Sequence, residues 1–552
     1  MKRPCPEMKF HPIYSSRLPQ GCPKSGAVGH ALPMVLVLLM LVNLSSTGFS
    51  EQFDVLIQNA SIADGTGAAL YKGAVGIRAG RIAAVGDATG PAKTTIDAKG
   101  QVVAPGFIDV HTHSEDICEI PTAENFLRMG VTTIITGNCG FSMTNVAELF
   151  SRVEQTRTAV NVATLIGHNS VRRRGMGGNF NRPPTVAELD AMKAHVDKAM
   201  RDGAVGLSTG LIYVPGTFSS TDEIVELAKV TAAYDGIYVS HMRSENTKIF
   251  DAIGEFLSIT RDAHVRAQVS HIKLSAPTSW GKAEEVLAML DRARADGLAI
   301  THDNYAYTAS STAIAQLIPD SMREGTREDF VARLADPAKK ERIVALMQEA
   351  RKKQGRTDYQ YAVIAQFKPD PRLNGKSIPE AARLLRGGDS IADQVETILD
   401  LEARGGASAV YHNMNAEDQK KFMVHPLTMI ASDGGPRIFG DSVPHPRSYG
   451  NNARVLGRFV REEKAMSLEE AIRRMTSLPA TTFDIKDRGV LRVGAWADVV
   501  VFDPAQVRDP STMDDPHHYA EGFSAVLVNG VPEILDGALT AERTGTAVRK
   551  GR

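Results

Sequence analysis

The sequence predicts an α/β fold: a TIM (β/α)8 barrel, with a small β-sandwich domain built from both chain ends and an insertion before the last barrel strand. Three observations carry this. Eight apolar runs of strand length end near His111, Cys139, His168, Ser208, His241, His271, His302 and Asp433, with amphipathic helical segments such as 186–199, 221–234 and 283–295 between most of them. Both ends of the chain instead show short alternating segments of the kind that form β-hairpins. The interval from His302 to Pro426 is far longer than one helix and its loops require.

Taken in order, the first fifty residues differ from the rest. Lys2, Arg3, Lys9, Arg17 and Lys24 precede an apolar run at 34–42, and Ser45-Ser-Thr-Gly-Phe-Ser50 follows it. The run is too short to span a bilayer, so residues 1–50 read as a signal peptide cleaved near Glu51. That implies a periplasmic or secreted protein with no stable membrane association once the leader is gone. A retained N-terminal anchor, or a start nearer Met34, is the alternative.

Residues 51–105 and 485–552 make the small β domain. Segments such as Val55-Leu-Ile and Val75-Gly-Ile-Arg are broken by Asp64-Gly-Thr-Gly67 and Ala79-Gly-Arg, and Asp498-Val-Val-Val-Phe502 and Ala525-Val-Leu-Val-Asn529 mirror them at the far end. The Gly-rich turn is no dinucleotide loop, because no helix follows it in a βαβ unit. Residues 106–484 make the barrel, and a subdomain inserted at about 320–411, with helical stretches at 380–385 and 391–402, covers the site.

Composition narrows the function. A chain of 552 residues with 43% hydrophobic and 23% charged residues is soluble and globular in type, and too long for one ordinary core. Its formal charge of −1 supplies no general attraction to nucleic acid or acidic membranes, which leaves a small molecule as the partner. Outside the leader the cysteines are Cys118 and Cys139. In an oxidising compartment they could pair, but Gly137 and Gly140 around Cys139 suit a tight turn that exposes a side chain.

The chemistry concentrates at the strand ends. In Phe107-Ile-Asp-Val-His111-Thr-His113 two histidines one residue apart point the same way from an extended chain. Cys139, His241, His271 and Asp433 each close a similar apolar run. Buried polar groups gathered at one end of a barrel need a shared purpose to offset their desolvation, and one catalytic metal centre explains all six. Zinc on imidazoles and a thiolate activates water and polarises a carbonyl, and Asp433 is placed to shuttle the proton. His168, His302, His412 and His425 lack this support and read as structural, and Arg172-Arg-Arg174 reads as a charge run facing water.

The motifs Ala104-Pro-Gly-Phe-Ile-Asp-Val-His-Thr-His113, Gly130-Val-Thr-Thr-Ile-Ile-Thr-Gly-Asn-Cys-Gly140, Gly206-Leu-Ser-Thr-Gly-Leu-Ile-Tyr-Val-Pro-Gly216, Ser270-His-Ile-Lys273, Ser432-Asp-Gly434 and His445-Pro-Arg447 resemble those of the N-acyl-D-amino-acid deacylases of the amidohydrolase superfamily, over about residues 52–548. Gly-Asn-Cys-Gly is the most discriminating, since many relatives use a carboxylated lysine where this branch has cysteine. The resemblance implies a tightly held zinc on Cys139, His241 and His271, and a second, weaker position on His111, His113 and Asp433. It also implies a substrate carboxylate held by Lys273, Tyr305 and Arg447, although Tyr305-Ala-Tyr307 departs from the Tyr-Pro-Tyr common in relatives. The expected activity is removal of the N-acyl group from N-acyl-D-amino acids. A D-dipeptidase or cyclic-amide hydrolase of the same superfamily is the alternative, and a non-catalytic exported metal- or solute-binding protein a remote one.

Overall fold

The computed structural model describes residues 52–551; the leader expected over 1–50 lies outside them. Among the described residues no helix is long and apolar enough to cross a membrane.

A three-stranded parallel sheet, Phe107–Asp109, Val131–Thr136 and Asn161–Thr164, and a six-stranded parallel sheet share one continuous stretch of chain. The second sheet runs in order through Ile166–Gly167, Gly206–Gly210, Ile237–His241, Arg266–Val269, Ile300–Asn304 and Thr428–Ile430. Only Leu165 separates the two sheets, and its N–H donates to the Thr136 carbonyl at 2.9 Å. At the other seam the Asp433 N–H donates to the His111 carbonyl at 2.8 Å, and the His113 N–H to that of Gly434 at 2.7 Å. First and last strand positions are thereby neighbours. The residues of Val131–Thr136, Gly206–Gly210 and Ile237–His241 are buried throughout, as strands covered on both faces must be.

The covering helices follow the apolar spacing. In Val186–Asp202 the buried Met192, Val196, Ala199 and Met200 fall on one stripe, a Thr185–Glu188 capping box starts the helix, and Gly203 at φ 109° ends it. Ala283, Val286, Leu290 and Ala293 do the same work in Ala283–Ala295.

One nine-stranded sheet joins the two chain ends. Val102–Pro105 pairs antiparallel with Val499–Phe502, placing strands from before the parallel array beside strands from after it. Val55, Ile57, Val75, Ile77, Val499, Val501 and Leu527 form its core. Tyr71–Arg78 and Arg81–Gly86 are joined by Ala79 and Gly80, both at positive φ (49° and 73°), the geometry that a tight hairpin demands.

Between Asn304 and Thr428 lies a separate antiparallel sheet of Ser310–Ala313, Ala362–Gln366 and Ser408–Tyr411, with four longer helices packed around Ile314, Phe330, Ile343, Ile364 and Ile398. It starts at Ser310, ahead of the expected 320. The Ser-Ser-Thr strand is polar and gains its place by pairing with Ser408–Tyr411, a partner invisible from its own composition.

Arg172 corrects an expectation. It is fully buried, ion-paired with Glu223, and donates to the Arg182 carbonyl at 2.7 Å. His168–Met176 is a helix, so Arg172 sits one turn after His168 on the same inward face, and His168 Nε2 meets the same Glu223 at 2.8 Å.

Candidate metal centre

The predicted residues converge at the ends of the parallel strands. Cys139 Sγ lies 3.4 Å from His111 Nε2, 3.5 Å from His241 Nδ1 and 3.6 Å from His271 Nε2. Cys118 and Cys139 are both free thiols, so the pairing that would have removed the sulfur is not formed. Asp433 Oδ1 stands 3.1 Å from His113 Nε2 and 3.4 Å from His111 Nε2. Cys139, His271 and Asp433 all sit at positive φ, 51°, 31° and 51°. Such backbone is costly for residues with a Cβ and collects at functional sites.

The mutually close donor sets, with ligand atoms within 4.8 Å of one another, are His111–Cys139–His271, His111–His113–Asp433 and His241–Glu245–His271. The first crosses the division implied by the resemblance, since it joins Cys139 to His111 as well as to His271. The third is a set that sequence reasoning missed. Glu245 is buried, four residues beyond His241 in a polar loop, and the only signal for it was that a carboxylate follows a strand-end histidine by one short turn.

Electrostatics favour a cation here. Burial pushes the Cys139 thiol up, but the surrounding histidines, His111 first, overcome this and hold it well below its ordinary value. Asp433 is likewise pushed up by burial and brought well below the usual carboxylate range by Arg447 and His111. Burial disfavours charge on His113, yet Asp433 and Cys139 raise it to about 10. The anions thus draw protons onto His111, His113 and His271, whereas burial holds His241 below its ordinary value. A divalent ion would satisfy the same demand and displace those protons, so the donor set fits zinc in ligand type and in charge.

Outer partners orient the rings. Asp303 accepts from the backbone N–H of His271 at 2.8 Å and faces the ring nitrogen His111 Nδ1 at 3.4 Å. His302, singled out as a strand end, points the other way, to Arg294 at 2.9 Å and Thr428 at 2.7 Å. Neighbours on a strand face opposite sides; Asp303 holds the inward position.

The three residues expected to bind a carboxylate gather beside the centre. The Arg447 guanidinium lies 4.7 Å from the Tyr305 ring centroid and the Lys273 ammonium 6.0 Å. Arg447 Nη1 pairs with Asp433 Oδ2 at 2.8 Å, and Lys273 Nζ with Glu245 Oε1 at 2.6 Å. Tyr305 is fully buried, and its hydroxyl meets Met414 Sδ at 3.7 Å.

A cavity of about 830 Å³ opens over the centre, with His113, Cys139, His241, His271 and Asp433 in its wall and Thr312 and Leu317 contributed from beyond Ser310. Tyr213, which sequence reasoning also passed over, stands edge-on to His241 at 5.1 Å between centroids and hydrogen-bonds Thr312 at 3.0 Å. It lies within the Gly206–Gly216 motif, so its signal was present. Floor and walls together offer an acidified thiol, clustered imidazoles, an ionised carboxylate and Lys273 around a space large enough for a small molecule, while Arg447 and Tyr305 lie outside its lining.

Comparison with known proteins agrees. The amidohydrolase family pattern matches residues 94–533. The N-acyl-D-glutamate deacylase of Alcaligenes xylosoxydans xylosoxydans is 34% identical over 524 residues, covering 91% of this chain and 97% of that protein. The crystal structure of N-acyl-D-glutamate deacylase from Bordetella bronchiseptica, complexed with zinc and a phosphonate mimic of the tetrahedral intermediate, matches with a TM-score of 0.77 at 34% identity, over 90% of this chain and 100% of that one. A D-aminoacylase structure, described as a binuclear metal centre with one-metal activation and second-metal attenuation, matches with a TM-score of 0.77 at 30% identity over 90% and 100%. With similarity running through nine-tenths of its length, and a buried cysteine at the heart of its donor cluster, the chain belongs to the amidohydrolase family, in the D-aminoacylase branch.

Proposed function

We infer that the protein is a zinc-dependent hydrolase that removes the N-acyl group from an N-acyl-D-amino acid, yielding a carboxylate and the free D-amino acid. The observation that carries this is Cys139 Sγ within 3.4–3.6 Å of three imidazoles while Asp433 Oδ1 lies 3.1 Å from His113, with all of these except His111 in the wall of one cavity. The zinc and phosphonate of the Bordetella relative support it. Cys139, His241 and His271 would hold one zinc tightly, and His111, His113 and Asp433 would form a second, weaker position. Zinc held there supplies Lewis acidity to water and to the scissile carbonyl.

The remaining work falls to side chains. Asp433, ionised under the influence of Arg447 and His111, takes a proton from the attacking water and returns it to the leaving nitrogen. Arg447 grips the α-carboxylate with its planar fork and Lys273 adds a point charge, while Tyr305 forms the face on which both cations rest. Handedness follows from three fixed points: the carbonyl at the donor cluster, the carboxylate at the cations, and a wall with room for the side chain in one hand only.

The architecture around this site is a (β/α)8 barrel over 106–484, carrying a β-sandwich domain from 51–105 and 485–552 and a subdomain inserted at about 320–411. The leader at 1–50 directs the protein to the periplasm or outside the cell. Turnover of a chiral N-acyl amino acid panel, with zinc measured in the same preparation, tests the activity. Cleavage of N-acetyl-D but not N-acetyl-L substrates is expected; inactivity toward the whole D-series with zinc bound would overturn it, and preference for D-dipeptides or cyclic amides would shift it to another member of the superfamily.

A further inference from the structure

Two of the ring nitrogens nearest Cys139 are His241 Nδ1 and His271 Nε2. Their opposite nitrogens both face one carboxylate, but unequally: Glu245 Oε1 is 2.9 Å from His271 Nδ1, whereas Oε2 is 3.6 Å from His241 Nε2, beyond hydrogen-bonding distance. Glu245 is 6% exposed, and its backbone carbonyl is pinned by the N–H and hydroxyl of Ser275 at 2.7 and 3.0 Å. The carboxylate thus stands behind both rings and is within hydrogen-bonding distance of that of His271.

The same oxygen, Oε1, also binds Lys273 Nζ at 2.6 Å, and Nζ lies 2.8 Å from His271 Nδ1. This sets up a conflict. An ammonium donating to Nδ1 would leave the ring proton on Nε2, which faces the sulfur, where a metal ligand needs a lone pair. A carboxylate that accepts the Nδ1 proton and also draws the ammonium to itself resolves the conflict, because both donors then converge on oxygen.

We propose that Glu245 is a positioning residue for the metal centre: its carboxylate fixes the ring tautomer that turns His271 Nε2 toward the metal, and neutralises Lys273, which would otherwise impose the opposite tautomer on His271. The proposal rests on the zinc reading of the site. Carboxylates behind ligand histidines ordinarily contribute 10–100-fold in metal affinity, about what is expected here.

Zinc affinity, measured by competition with a chromophoric chelator, tests it without reference to substrate. Glu245→Gln is expected to weaken zinc by roughly 10–100-fold, Lys273→Met alone to keep native affinity, and the Glu245→Gln/Lys273→Met double variant to bind more tightly than Glu245→Gln, because the misdirecting ammonium is gone. A purely structural loss would not be repaired by a second substitution. Native affinity in Glu245→Gln, or no recovery in the double variant, overturns the proposal. Should Glu245→Gln not fold, Glu245→Asp, which withdraws the carboxylate by one methylene, is expected to lose affinity several-fold, and native affinity there overturns it equally. The wild-type protein separates this from the functional reading: zinc bound tightly without cleavage of any D-substrate defeats the activity and leaves Glu245 in place, whereas a wild type that binds no zinc defeats both.

Discussion

Asp433→Asn isolates the proton shuttle. The change keeps size and one acceptor oxygen but removes the charge beside His113, His111 and Arg447, at 3.1, 3.4 and 2.8 Å. Loss of a positioned general base lowers turnover by about 10²–10⁴-fold, or about 3–5 kcal/mol of barrier. The tight zinc ligands Cys139, His241 and His271 are untouched, so metal content is expected to hold at the native level. Arg447 is 4% exposed and loses its counter-charge, costing about 3 kcal/mol of stability, near the low end for breaking a buried pair because the amide oxygen still accepts. The assay is steady-state hydrolysis of an N-acetyl-D-amino acid at fixed zinc, with elemental analysis of the same samples. A kcat within tenfold of native, in protein that retains zinc, would refute the role assigned to Asp433.

Three further outcomes are expected. Cys139→Ser removes the sulfur common to three imidazoles and is expected to weaken zinc by at least about 100-fold in chelator competition, since a neutral hydroxyl replaces a thiolate; retained affinity would point to a centre built on histidine alone. Arg172→Ala breaks the buried Arg172–Glu223–His168 cluster and is expected to lower unfolding stability in urea by about 3–5 kcal/mol; a neutral effect would return Arg172 to the surface. Glu533, whose Oε2 is buried without a hydrogen-bond partner, is pushed by burial to about 7. Because its folded value is raised, stability is full below about 4.5 and falls as pH rises through 7. Glu533→Gln is expected to flatten that decline by up to about 2 kcal/mol, and a melting-temperature difference between pH 5 and pH 8 identical to wild type would count against it.

Much of the site was legible because its residues punctuate apolar runs. His111, His113, Cys139, His241, His271 and Asp433 end strands, and the structure brings them to one cavity wall, apart from His111, which lies just behind it. What stayed hidden depends on a partner from elsewhere in the chain. Arg172 looked solvated because its Glu223 partner begins another helix. Asp303 was passed over for its neighbour His302, since strand alternation fixes two faces but does not say which one looks inward. Glu245 lies in a loop, where no period marks it, and its meaning appears only when His271 and Lys273 arrive from the next strand end. The polar strand at Ser310–Ala313 is a strand only because Ser408–Tyr411 pairs with it.

The seam between the first and last strands of the parallel array has a consequence for how such an enzyme comes into being. The hydrogen bonds from Asp433 to His111 and from His113 to Gly434 join residues about 320 positions apart, and closing loops of such length slows folding. A polypeptide still emerging from synthesis, or one whose final segment has come loose, holds its sulfur and imidazoles but has no carboxylate docked beside them. Hydrolytic competence therefore depends on this join as well as on the donors themselves.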